Sequence, residues 1–223
     1  AEAGKALMGS LPYDHYVFLF GFPPEGGSGA LEHSYSALFL LFAGMDRSEI
    51  RHIIAHEFFH LWNAERVHVE ALEKPEQTKP FETGTIWMNE GGTEYMSALI
   101  LVHAGLTKRN GFFSTMAQKY AELRSAPMSR LVTRHSNTEA SRMWKDASAM
   151  TFMQVAQITY ERGAVNMFAA DLAIRRASKG ERGLIDVVRL LFDRYAKKGK
   201  GYPEDALPGV FTEVAGMPHG SPR

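Results

Sequence analysis

Between Ile50 and Trp62 the chain reads IRHIIAHEFFHLW, an apolar run with His56, Glu57 and His60 set into it. The spacing predicts a helix capped by Asp46 or Ser48, with Glu49 in its first turn and an end near Val67. Residues four apart lie one above the other on a helix. His56 and His60 therefore offer two imidazoles to one point, with Glu57 beside them. A strongly apolar helix rarely buries two histidines and an acid unless they are paired or bound to a metal. Whatever this chain folds into must complete that polar site from another element.

The five residues His56-Glu57-Phe58-Phe59-His60 follow the pattern H-E-x-x-H, in which two histidines hold zinc and the glutamate serves as general base for peptide hydrolysis. Such a site keeps one coordination position for a water whose pKa the ion lowers to about 7. His52, one turn earlier, offers a second His pair with His56. It has no glutamate in the right place and reads as a solvated first-turn residue.

A third protein ligand is needed. One arrangement places a glycine three residues and a histidine six residues after the second histidine. Those positions are Asn63 and Arg66, so that arrangement is excluded. The alternative is a glutamate from a second helix, and the best candidate is Glu90 in WMNEGGTEY. Glu94, one turn further on, is either a ligand in its place or an acceptor for the outer nitrogen of a zinc histidine. Asn63, three residues after His60, is a candidate for a similar supporting role.

The 223 residues are 45% hydrophobic, which suits a single large domain. The 25 basic and 25 acidic residues cancel, so nothing points to nucleic acid or an anionic membrane as partner. With no cysteine, thiol catalysis, disulfides and cysteine-ligated zinc are excluded. No apolar run approaches the roughly 18–20 residues needed to span a bilayer. The opening residues, AEAGKALMGS, do not read as a signal peptide.

Along the chain, Tyr16 to Phe22 and Tyr35 to Phe42 read as strands, expected to be antiparallel, with a loop over Pro23 to Gly29. Helices follow over Thr85 to His103, Asn110 to Arg124, Met150 to Ile158, Gly163 to Ala177, Leu184 to Lys197 and Glu204 to Ala215. A surface excursion holds Pro75 and Pro80, Ser125 to about Ser148 is polar and irregular, and a break is expected at Tyr160 to Gly163. Strands first and helices afterwards indicate an α+β fold, mainly α. A β element over 1–45 and a helical part over 46–223 make up one domain.

HEFFHLWN, WMNEGGTEY and TYERGAVNMFAADLAIRRAS, in that order, resemble the glycyl aminopeptidase family of zinc metallopeptidases. These are relatives of thermolysin and aminopeptidase N, the gluzincins, and their members often carry a PDZ domain. The likeness runs from about Tyr13 to Ala215. It implies a thermolysin-like catalytic domain, one Zn2+ ion on His56, His60 and Glu90, and Glu57 as base. It implies two further roles. Gly29-Ala30-Leu31-Glu32-His33 resembles an edge strand whose backbone pairs with the peptide substrate, with Glu32 binding the substrate's free amine. Tyr160, in Tyr160-Glu161-Arg162-Gly163, resembles the tyrosine that hydrogen-bonds the oxyanion, although Arg162 stands where a lysine is usual. Ser97 stands where aminopeptidase N relatives often place a supporting glutamate. An aminopeptidase releasing small residues such as Gly or Ala is the implied activity, in a bacterial periplasmic or exported setting. The family's upstream β domain and downstream PDZ domain have no counterpart in these residues. An endopeptidase with the same zinc site, and a peptide-binding module that does not cut, are the other readings.

Overall fold

In the computed structural model, the described residues are 1–24, 28–73, 83–125 and 155–216. The chain opens with a short helix, α1 (Glu2–Met8), and then builds a three-stranded sheet from β1 (Val17–Gly21), β2 (Gly29–His33) and β3 (Ser36–Leu40). The strand order is β1-β3-β2. β3 pairs antiparallel with β2 and parallel with β1. The expected antiparallel pairing of the first and last strands is therefore incorrect. The segment read partly as loop contains a third strand, which reverses the chain before β3 and so leaves β3 running alongside β1.

Alternation along the strands decides what the sheet presents to the rest of the molecule. Phe18 and Phe20 pair with Ala37 and Phe39, which in turn pair with Glu32 and Ala30. Ala37 and Phe39 are fully buried and form a small core with Leu41 and Met45, against which Ala30, Ile50, Ile53 and Ile54 pack. Phe20 stacks on Phe39 at 5.0 Å between ring centroids. The same alternation that buries Phe39 therefore turns Glu32 toward the helix that follows.

That helix, α2 (Arg47–His60), starts at Asp46, whose side chain accepts a hydrogen bond from the Ser48 amide at 2.7 Å. Its last six residues, Ala55 to His60, are all buried. The helix ends at His60, short of the expected Val67. Beyond it the chain turns sharply through Ala64, at φ 132°. Arg66 secures the turn by donating to the carbonyls of Leu61 (2.7 Å) and Pro12 (2.9 Å). A guanidinium that spans two carbonyls replaces the helical bonds which another turn of helix would have made.

Two helical segments then enter through π-helical turns. Trp87–Gly91 is one such turn and leads into α3 (Gly92–His103). Ile158–Arg162 is the other and leads into α5 (Gly163–Ala177), with α4 (Arg109–Ser125) before it. The break expected at Tyr160 is thus a widened turn within a continuous helical path. The chain closes with α6 (Leu184–Arg194) and α7 (Ala206–Ala215). The segments expected to be a surface excursion around Pro75 and Pro80, and an irregular stretch up to Ser148, fall outside the described residues, as does the start of the helix expected from Met150.

One main core joins the helices. Phe58, Phe59, Leu61 and Trp62 pack with Tyr95 and Met96 of α3, Met167 of α5 and Leu184 and Leu191 of α6. Asp171 of α5 is buried and fixes three neighbours at once. It accepts from the Tyr95 hydroxyl (2.9 Å), the Leu184 amide (2.6 Å) and Arg175 Nε (2.6 Å). The result is an α+β fold, mainly α. Helix α2 is held between the sheet on one side and α3 on the other, and that buries its histidines between the two.

Candidate active site

His56 and His60 lie one turn apart with their Nε2 atoms 3.0 Å from each other. Glu90, in the first π turn, brings Oε2 to 3.4 Å from His56 Nε2 and 3.5 Å from His60 Nε2. Three donor atoms from two elements thus converge. Ligands held about 2.0–2.2 Å from a tetrahedral zinc ion stand roughly 3.3–3.6 Å apart. The two Glu90 separations match that spacing, and the histidine pair is slightly closer, at hydrogen-bond distance. Glu90 Oε2 is buried and takes no hydrogen bond. A buried carboxylate oxygen with no donor is costly, and a cation at this point would satisfy it. The residues therefore fit a divalent metal.

The outer ring nitrogens support this reading of the donor set. His56 Nδ1 lies 2.9 Å from Glu94 Oε2, and His60 Nδ1 lies 2.9 Å from the Asn63 carbonyl. Both partners are acceptors, so each Nδ1 carries a proton, and Nε2 is the nitrogen that each ring can turn to a metal once it is deprotonated. Glu94 contacts His56 on the side away from Glu90. It can join His52 and His56 in a second cluster, but that cluster leaves out His60. The geometry therefore favours Glu90 over Glu94 beside the paired histidines. Asn63 supports His60 through its backbone. Its side chain instead donates to the carbonyls of Met88 and Asn89, both at 3.0 Å, and so ties the exit of α2 to the turn that carries Glu90.

Glu57 is buried, and its carboxylate belongs to a close group with His60 and Glu32, their nearest ligand atoms within 4.8 Å of one another. Burial pushes the Glu57 pKa up, and the charges of Glu32 and Glu90 add to this against the opposing histidines. Gly29, Ala30 and Glu32 all lie on β2, at the edge of the sheet. A side chain added at Gly29 would meet open space. Tyr160 lies in the second π turn, with its ring stacked on His56 at 5.7 Å and 23°. Burial, together with the charge of Glu90, raises its pKa well above that of a free phenol. The hydroxyl keeps its proton at neutral pH and remains a donor. The structure thus brings Glu90, Glu57, Glu32 and Tyr160 close to the paired histidines, while Gly29 and Ala30 are placed only on the strand that carries Glu32.

Charge in the site is uneven. Burial works against a charged His56, yet Glu90 and Glu94 outweigh it and push its pKa up to about 10. Burial also opposes ionisation of Glu90, but His60 and His56 hold it far below the usual carboxylate range.

The two π turns meet back to back. A Cβ on Gly91 would lie 2.3 Å from Gly163 Cα, and one on Gly163 would lie 2.8 Å from the Trp87 carbonyl oxygen. Only two glycines allow this approach, and it brings the Glu90 and Tyr160 turns together. Sequence reasoning missed this contact, and it also missed Lys119 and the partnership of His52 with Glu94. His52 was expected to be solvated but is only partly exposed, with Nε2 2.8 Å from Glu94 Oε1. Lys119 occupies a position in the buried stripe Phe112, Met116, Lys119 and Leu123 of α4, where an apolar residue would be expected. A lysine in such a stripe is the signal that a buried acid faces it.

Comparison with known proteins agrees with the geometry. The model of the M61 glycyl aminopeptidase family matches residues 49–166, a span that contains all but the first two residues of α2, the Glu90 turn and the Tyr160 turn. No curated protein sequence is significantly similar. Among solved structures, an aminopeptidase N family protein from Idiomarina loihiensis shares the fold, with a TM-score of 0.79 at 23% identity. The alignment covers 92% of this chain and 36% of that protein, so the chain spans about a third of its length. On the family match, which covers more than half of the 223 residues, the chain belongs to the M61 glycyl aminopeptidase family of peptidases.

Proposed function

We propose that this chain is the catalytic core of a zinc-dependent aminopeptidase that removes small N-terminal residues such as Gly or Ala from peptides. The observation that carries the reading is the convergence of His56 Nε2, His60 Nε2 and Glu90 Oε2, with Glu57 and Tyr160 on its border. Two imidazoles and a carboxylate are a donor set suited to catalytic zinc. Bound there, zinc would supply a Lewis acid and lower the pKa of a bound water to about 7.

The chain's own residues do the rest. Glu57 takes the proton of the attacking water and passes it to the leaving amine nitrogen. Burial favours this role, because a carboxylate with a raised pKa is a better base near neutral pH. Tyr160 donates its hydroxyl hydrogen to the oxygen that gains charge on the scissile carbonyl. The free edge of β2 accepts an extended peptide by strand addition, which sets the scissile bond across the cleft. Glu32, on the same strand and close to Glu57, neutralises the substrate's ammonium group.

The test is Glu57→Gln. The variant should bind zinc as tightly as the parent while hydrolysis of glycyl or alanyl p-nitroanilides falls by a factor of about 10²–10⁴. A fully active variant would overturn the mechanism.

A further inference from the structure

Lys119 of α4 is buried, at 8% exposure, and lies outside the ligand set. Its Nζ is 2.6 Å from Glu94 Oε1, and 3.0 and 2.8 Å from the two oxygens of Glu161. Glu94 holds the outer nitrogen of His56 at 2.9 Å. Glu161 is the residue next to Tyr160 in the second π turn. One ammonium group therefore grips the carboxylate behind a metal-site histidine and the backbone segment that carries the tyrosine.

The geometry points to Lys119 as a positioning residue that couples the metal site to the oxyanion donor. Three observations favour a positioning role over packing alone. The stripe of α4 on which Lys119 lies is otherwise filled by Phe112, Met116 and Leu123, so a methionine would fill the space without the charge. Glu94 is shared by His52, His56 and Lys119, so the lysine bears on the same carboxylate that holds the outer nitrogen of His56. Glu161 is also partly buried, and burial raises its pKa against the pull of Lys119, so its charge depends on that lysine. Without the ammonium, the carboxylates of Glu94 and Glu161 would lose the positive charge that bridges them. Glu94 would then swing, turning the ring of His56, and the turn carrying Tyr160 would lose its anchor to α4.

This inference rests on the proposed zinc aminopeptidase activity. The experiment uses the full chain and measures zinc affinity by chelator competition, together with kcat and KM on glycyl p-nitroanilide. Lys119→Met should weaken zinc binding by about 10- to 100-fold, the usual cost of disturbing a ligand's hydrogen-bond partner. Its kcat should fall while KM stays within about threefold of the parent. Glu161→Gln leaves the Lys119–Glu94 pair in place, so zinc affinity should hold within about twofold while kcat drops. Lys119→Met with parental zinc affinity and parental kcat would overturn the inference. Should that variant not fold, Glu161→Gln decides, and a parental kcat there would overturn it equally. A parent chain that neither binds zinc nor cleaves would instead overturn the functional reading, and this inference with it.

Discussion

The proton that His56 holds has to leave before a metal can bind. In the protein without metal its pKa is pushed up to about 10, from an ordinary 6.5, because Glu90 and Glu94 overcome the effect of burial. A raised folded-state pKa means that the protonated pair stabilises the metal-free fold fully below pH 6.5 and that this contribution is lost as the pH rises through 10. On the proposed function, zinc competes with that proton. Zinc affinity should therefore climb as the pH rises from about 6.5 to 10, and binding at pH 7 should release protons. Calorimetric titration of zinc in two buffers of different ionisation enthalpy measures the release. Equal heats in both buffers would contradict it. At Glu32 the expectation is different. Removing an acid that pairs with a substrate ammonium costs about 1.5–3 kcal/mol, or roughly 10- to 150-fold. Glu32→Ala should therefore raise KM for peptides with a free N-terminus and leave N-acetylated ones unaffected. Equal loss on both kinds of substrate would argue against an amine anchor, and efficient cleavage of blocked substrates would favour an endopeptidase.

At the scale of elements, the site depends on how closely two helical turns approach. Gly91 and Gly163 have ordinary helical φ values of −67° and −56°, so glycine is needed there for space rather than for conformation. Alanine normally helps a helix by about 0.8–1 kcal/mol. Here an added methyl group would strike the backbone of the facing turn. Gly163→Ala should destabilise the protein by about 1–3 kcal/mol, as overpacking does. It should also lower activity by more than its loss of stability, because Tyr160 and Glu90 separate. Thermal unfolding alongside kcat measures both, and a more stable variant with full activity would contradict the contact.

Much of this element pattern was legible in the sequence. The apolar helix around His56 and His60, the helix that begins near Glu90, and the α+β order all follow from periodicity, whereas Tyr160 was read as a break and lies in a π turn. Glu90 was the best candidate for a third ligand, with Glu94 open in its place until the family resemblance favoured Glu90. What was not legible depends on contacts between distant segments. The parallel pairing of β1 with β3 hinges on β2, a stretch that composition did not mark as a strand and that only the family resemblance singled out. The early end of α2 hinges on Arg66 finding the Pro12 carbonyl. Lys119 resembles an ordinary surface lysine until α4 is packed against Glu94 and Glu161. Glu32 and Tyr160 were reached only through family resemblance, since a loop acid and a half-buried tyrosine carry no local signal.

For the whole molecule, the residues that could hold a metal also join the elements of the fold. Glu90 and the two histidines draw together α2 and the turn before α3, and Glu94 links them to α4. A ligand bound only by the folded state stabilises it by mass action. The account is most exposed at the identity of the three ligands. Crystals of the zinc-loaded chain, with anomalous diffraction recorded on both sides of the zinc absorption edge, test it directly. The prediction is one strong peak bonded to His56 Nε2, His60 Nε2 and Glu90 Oε2. A peak held instead by His52, His56 and Glu94, or no peak at the paired histidines, would contradict it.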